Sequence, residues 1–116
     1  FEAGGWASSA LGRLMPFEPD RLGRQPFDQP VRPGLHIQGS LQMLPDPRFG
    51  AVSILRLGKT EAESKAAWEK LPPLAGANRL GALVPTAKPL AVTAQGAPLL
   101  VAREFGAGRV LAFAAD

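Results

Sequence analysis

Few residues in this sequence have side chains suited to catalysis or metal binding. There is no cysteine, which excludes disulfides, thiolate metal ligands and a cysteine nucleophile. The single histidine, His36, lacks a second histidine or a cysteine with which it would form a metal site. Ser8 and Ser9 follow glycines but lack the G-x-S-x-G pattern of a nucleophile elbow. No spacing of carboxylates singles out a pair. The sequence therefore predicts no catalytic residue, no metal site and no cofactor.

Two glycine turns are the remaining candidate sites. A glycine turn that enters a helix is a general anion site, and Gly4-Gly5 precedes a short helical pattern. The segment 106–109 begins like a phosphate loop, but an apolar strand follows it, so the pattern favours a hairpin turn. Each turn also has a purely structural interpretation. Gly4-Gly5 would be a loop that enters a helix, and Arg109 would lie at the solvated start of a strand. If a ligand binds, we expect it at these turns, on Gly4, Gly5, Trp6 and Arg109.

The last thirty residues, Ala87 to Asp116, organise the rest of the chain. They contain three short apolar runs separated by glycine turns, and each run is too short for a helix. This pattern predicts strands near 89–94, 98–105 and 109–115. The middle run is apolar almost to its end, which is typical of a strand covered on both faces. We expect these strands to form the core of a larger sheet.

The upstream part of the chain predicts one clear helix, at 60–71. Thr60 and Glu63 have the spacing of a capping box, Trp68 is the apolar anchor, and two prolines stop the helix. A shorter helix, capped by Ser8 or Ser9, is predicted to run to Leu14 and to bury Leu11 and Leu14. Alternation predicts a strand near 35–44 with a bulge at Gly39 and His36 on its polar face, and an apolar run predicts another strand near 77–84. Residues 24–27 fit either an edge strand or coil.

Composition limits the classes of protein that this chain can represent. Its 116 residues suit a single domain spanning 1–116, and 46% hydrophobic residues argue against disorder. The net charge of +3 is scattered, so we expect no nucleic-acid partner. There is no membrane-spanning run and no signal pattern, so we expect no membrane contact from this segment itself. Because the chain opens at Phe1 and stops directly after a strand, we expect a fragment of a larger domain.

Four segments resemble a known family. GGWASSALGRLMPFEP, SILRL, AAWEKLPPLAGANRLG and PLLVAREFGAGRVLAFAAD are similar to the C-terminal half of the class I glutamine amidotransferase-like domain of uncharacterised bacterial membrane proteins, which often carry a von Willebrand factor A-type domain. Trp68, the segment 71–74 and the segment 105–109 match the family pattern. Val52-Ser53 replaces its His-Pro. The closing motif is specific for the fold rather than for an activity.

The resemblance implies an α/β, flavodoxin-like three-layer sandwich whose first parallel strands precede Phe1. Working amidotransferases use a cysteine with a downstream histidine and glutamate, and this chain has neither a cysteine nor a histidine after His36. We therefore expect a non-catalytic binding or assembly module of a larger, membrane-anchored bacterial protein, whose partner is the remainder of that protein. The cellular location of this segment stays open.

Two alternatives remain. One is a hydrolase or amidotransferase whose active site is completed by residues outside this chain. The other is a structural half-domain that forms a homodimer to cover exposed sheet edges, because an uncovered edge invites strand pairing.

Overall fold

The computed structural model describes residues 6–19, 28–30 and 32–115 of the chain. These residues form a mixed α/β fold with one α-helix, α1 (Glu61–Lys70), and antiparallel sheets. The described strands, in chain order, are β1 (His36–Leu41), β2 (Met43–Pro45), β3 (Leu74–Asn78), β4 (Lys88–Thr93), β5 (Pro98–Phe105) and β6 (Gly108–Phe113). Short 3-10 helices cover Trp6–Ser8, Ala10–Arg13, Pro33–Leu35 and Ser53–Leu55.

The three closing strands form consecutive antiparallel hairpins, as the sequence predicts. The larger described sheet has the order β2-β4-β5-β6. The turn into β5 contains Gly96 at φ 86°, and the turn into β6 contains Gly106 at φ 58°. Both angles lie in the left-handed region that glycine adopts without steric cost. The strands predicted at 89–94, 98–105 and 109–115 are confirmed, with boundaries shifted by no more than two residues.

The strand predicted at 35–44 is two strands in different sheets. β1 pairs with β3, whereas β2 pairs with β4. The predicted irregularity at Gly39 is confirmed, since the β1 register shifts between Gln38 and Leu41 and Gly39 has φ 109°. Gln42 lies between the strands, and its Nε2 donates to the Trp68 carbonyl oxygen at 3.0 Å. The chain therefore changes sheets at Gln42, although the apolar alternation continues through it.

The strand predicted at 77–84 is wrong in its position. β3 begins at Leu74, directly after the two prolines that follow α1, and ends at Asn78. Beyond it, Leu83 forms an isolated antiparallel bridge with Phe17, and the Glu18 N–H donates to the Ala82 carbonyl at 2.8 Å. Gly81 lies so close to the Glu18 carbonyl that no side chain would fit there. The apolar run is divided because its first part pairs with β1 and its later part pairs with residues 16–18.

The N-terminal segment differs from the single helix predicted there. It forms two 3-10 helices, and Leu11, predicted to be buried, is 45% exposed. Arg103 of β5 fixes the end of this segment, because its Nη1 donates to the carbonyl oxygens of Arg13 and Met15, both at 2.9 Å. The predicted segment 24–27 lies outside the described residues.

The core lies on both faces of the larger sheet. Neighbouring residues of a strand point to opposite faces, so Leu99 and Leu100 mark the two sides of β5. Leu100 packs against the cluster of Leu55, Trp68, Leu90 and Ala91, whereas Leu99 is buried with Leu41 and Ala77 of the smaller sheet. Helix α1 therefore covers one face of the larger sheet, and the β1–β3 sheet covers the other.

Candidate functional site

Helix α1 contributes structure rather than a binding group. The predicted capping box is present: the Glu63 N–H donates to Thr60 Oγ1 at 3.2 Å, and Glu63 Oε2 accepts from the Thr60 N–H at 3.1 Å. Trp68 is 6% exposed, and its Nε1 donates to the Leu55 carbonyl oxygen at 2.8 Å. The prediction that Trp68 serves packing is confirmed.

Asp46 is the charged residue that the described fold buries. Its carboxylate Oδ1 accepts from the backbone N–H groups of Arg48 at 2.7 Å and Phe49 at 3.3 Å. The Arg48 side chain adds hydrogen bonds of 3.3 Å from Nε and 3.2 Å from Nη2. The hydrogen bond from the Arg48 side chain is the main cause that lowers the pKa of Asp46, while burial acts in the opposite direction. Since the partners come from the next three residues, Asp46 anchors its own turn.

The residues predicted to bind a ligand do not form a described site. Gly4 and Gly5 lie outside the described residues, and Trp6 begins the first 3-10 helix. Arg109 is exposed in β6, opposite Glu104 of β5. The loop before Arg109 is the β5–β6 hairpin, which confirms the hairpin interpretation of residues 106–109. Arg109 nevertheless belongs to a second feature of the fold, the outer edge of β6, which is unpaired within the described sheet.

The backbone of β6 presents hydrogen-bonding groups away from the described sheet. β6 is the last strand in the order β2-β4-β5-β6. The Ala114 N–H donates to the Leu99 carbonyl oxygen at 2.8 Å, and hydrogen-bonded pairs alternate along an antiparallel ladder. Val110 and Arg103 are therefore a hydrogen-bonded pair, and so are Ala112 and Val101. In each pair the N–H and C=O groups of the two residues point at each other. The N–H and C=O groups of Arg109, Leu111 and Phe113 consequently point outward.

The side chains of these outward-facing residues are also exposed. Leu111 is 55% exposed and Phe113 is 51% exposed, whereas Ala112 between them is buried. In the register with β5, Leu111 lies opposite Ala102 and Phe113 opposite Leu100, so both share the face that α1 covers farther along the sheet. We call Arg109, Leu111 and Phe113, with their backbone groups, the β6 edge.

The β6 edge carries one charge, Arg109, next to the hairpin, and has little other protection against strand pairing. Natural edges are commonly blocked by proline, by charge or by short length. β2, at the opposite side of the sheet, has three residues and ends in a proline, whereas β6 has six residues and no proline. Sequence reasoning did not select this edge. The sequence pattern that could have identified the edge is the alternation of Arg109, Leu111 and Phe113 with the smaller Val110 and Ala112.

Comparison with known proteins gives no relative: no family model, curated protein or solved structure matches this chain. Within the described residues, no three histidine, aspartate or glutamate side chains are grouped to hold a metal ion. In the same part of the chain, no helix is long and apolar enough to cross a membrane.

Proposed function

We propose that this chain is a non-catalytic assembly module that joins a partner by adding a strand to the β6 edge. The observation that carries the proposal is a strand whose outer edge no described strand pairs with, and whose outward residues include two large, half-exposed apolar side chains, Leu111 and Phe113. In strand addition, main-chain hydrogen bonds supply affinity and alternate side chains supply specificity. The β6 edge provides both of these components in six residues.

Two kinds of contact would stabilise association at this edge. Full burial of a leucine or phenylalanine side chain is worth about 1.5–3 kcal/mol. Because Leu111 and Phe113 are already about half buried, covering them contributes roughly 1 kcal/mol each. The hydrogen bonds of an added strand contribute further, at about 0.5–1.5 kcal/mol each. Lost translational and rotational freedom opposes these gains by about 4–15 kcal/mol. We therefore expect a weak, reversible contact that is strengthened when the module is held in a larger protein.

The relationship to the amidotransferase-like domain belongs to this proposal. Its support is the resemblance of the four sequence segments, together with the mixed α/β fold. Segment 71–74 joins α1 to β3, and segment 105–109 forms the β5–β6 hairpin. The parallel strands of a flavodoxin-like sandwich would then come from residues outside this chain. The larger protein would be a membrane-anchored bacterial protein, and the module would serve its assembly.

A strand peptide tests the proposed function directly. The probe is a capped peptide with the sequence of residues 108–113, titrated into the 15N-labelled chain and followed by NMR. We expect shifts confined to β5 and β6, and slower hydrogen exchange at the Leu111 and Phe113 amides. These amides are the expected donors to an added strand.

The matched controls separate strand addition from nonspecific apolar binding. The double variant Leu111→Lys/Phe113→Lys should lose the response, because it places two charges on the edge. Ile54→Lys should retain it, since Ile54 is 59% exposed but lies in the 3-10 helix Ser53–Leu55. No response from the unmodified chain, or an equal response from the double variant, would contradict the proposal.

A further inference from the structure

We propose that the strand added to the β6 edge is β6 of a second copy, paired antiparallel about a two-fold axis that passes through Leu111. This inference rests on the proposed function, because it names the partner of the same edge. Its basis is that the β6 edge is complementary to itself in bonding pattern, in charge and in side-chain type.

The bonding pattern favours one register. The outward groups belong to Arg109, Leu111 and Phe113, which are evenly spaced around Leu111. With the axis at Leu111, Leu111 lies opposite the partner's Leu111, and Arg109 lies opposite the partner's Phe113. All three residues then meet outward groups of the second copy. Each such pair exchanges two N–H···O bonds, so the contact contains about six.

In registers shifted by two residues, only two of the three edge residues pair with edge residues of the second copy. A shift toward the hairpin pairs Arg109 with the partner's Leu111 and leaves Phe113 against the partner's turn. A shift in the other direction places Arg109 opposite the partner's Ala115. Ala115 lies beyond β6, where the chain bridges to Ala77 of β3, so in this register Arg109 pairs outside the β6 edge. The register centred on Leu111 is therefore the one that pairs all three residues of the β6 edge with one another.

The distribution of charge disfavours registers shifted toward the hairpin. A shift that centres the axis on Arg109 would place two guanidinium groups directly opposite each other, which is unfavourable. With the axis at Leu111, the two arginines are four residues apart along the ladder, roughly 14 Å. That separation exceeds the screening length of about 8–10 Å at ordinary ionic strength.

The side chains that meet across the axis are compatible. Each arginine lies beside a phenylalanine ring, an arrangement that attracts a guanidinium to the ring face. Arginines of this chain already lie near phenylalanine rings elsewhere: Arg103 is 5.0 Å from the Phe105 centroid and Arg48 is 5.3 Å from that of Phe49. The two Leu111 side chains meet at the axis, where they complete an apolar strip between the copies.

Engineered cysteines test the register, because the chain has no cysteine of its own. In Leu111→Cys, the two thiols face each other across the axis at a Cα separation of about 5.5 Å. This lies within the range of roughly 4.4–6.8 Å that a disulfide spans. Under mild oxidation we expect a reducible covalent dimer on a gel. It should form at least roughly tenfold faster than with Ile54→Cys, since association raises the effective thiol concentration.

A pair of further variants tests the same register with Leu111 retained. Arg109→Cys and Phe113→Cys should each form little dimer alone, because each thiol lies four residues along the ladder from the same thiol of the second copy. An equal mixture of the two should form the mixed dimer at about half the rate of Leu111→Cys, because half of the encounters bring the two variants together. Circular dichroism of each variant checks that the fold is kept at these exposed positions.

The outcomes separate this inference from the proposed function. Rapid dimers from Leu111→Cys and from the mixture support the second copy in this register. Dimer formation no faster than that of Ile54→Cys overturns it, as does a fast dimer from Phe113→Cys alone. If the strand peptide still binds in that case, the edge accepts an added strand but two whole copies do not pair in this register, and only this inference fails. If the peptide fails as well, both proposals are wrong.

Discussion

At Asp46, a carboxylate that is 5% exposed accepts hydrogen bonds from two backbone N–H groups and from the Arg48 side chain. The Arg48 side chain itself is 68% exposed, so the ion pair is open to solvent on one side. The Gly50 N–H donates to the Asp46 carbonyl at 2.7 Å, which closes the turn after β2. A buried acid that could suggest catalysis is thus accounted for by local hydrogen bonds.

We predict that Asp46 makes the free energy of unfolding depend on pH in the acid range. The Arg48 hydrogen bond lowers the pKa of Asp46 below its ordinary value of 3.8. Since the folded pKa is the lower one, this stability is complete above about pH 4 and is lost as the pH falls through the folded pKa. Urea titrations from pH 7 to pH 2 should show a steeper acid decline in the natural chain than in Asp46→Asn. Equal declines would contradict the assignment.

At the level of elements, the stability of α1 depends more on its capped ends than on the burial of its side chains. Among its ten residues only Trp68 is buried, so the apolar face is narrow. The capping box satisfies backbone donors at one end, and Leu71 with two prolines closes the other. Short helices are marginal without such support. This explains why local signals predicted the helix nearly to the residue.

We predict that Thr60→Ala lowers the free energy of unfolding by about 1 kcal/mol, because it removes the side-chain acceptor of the Glu63 N–H. Thr60→Ser keeps the hydroxyl acceptor and should cost much less. Urea unfolding followed by circular dichroism measures both variants. A Thr60→Ser variant as unstable as Thr60→Ala would show that the methyl group, rather than the cap, is responsible.

At the scale of the whole molecule, the two described sheets are joined through Leu99. This side chain is fully buried against Leu41 of β1 and Ala77 of β3. Two backbone bonds add to the joint: Ala114 donates to Leu99 at 2.8 Å, and Asn78 donates to Ala114 at 2.7 Å. The segment after β6 therefore connects the larger sheet to the smaller one.

We predict that Leu99→Ala lowers the free energy of unfolding by about 2–5 kcal/mol, because it leaves a cavity between the sheets. The matched control is Leu111→Ala in the next strand. The same atoms are removed there from a side chain that is 55% exposed, so in dilute solution the cost should stay near 0.5 kcal/mol. Urea unfolding at low protein concentration measures both. Similar costs for the two variants would contradict the assigned burial.

The sequence by itself determined the elements whose signals are local. Glycine turns bounded β4, β5 and β6, and Thr60, Glu63 and the two prolines bounded α1. Each of these signals acts between residues close in the chain, through backbone conformation or a short-range hydrogen bond. The anchoring role of Trp68 followed in the same way, from one large apolar residue on a mostly polar helix.

The tertiary structure alone decided how distant segments pair. The change of sheet at Gln42 and the early end of β3 depend on partners far along the chain. Leu111 and Phe113 became a candidate site for the same reason. Alternation places them on one face of a strand, but only the order of strands shows that β6 is last in the described sheet. Pairing, rather than residue type, determines which backbone groups remain available to a partner.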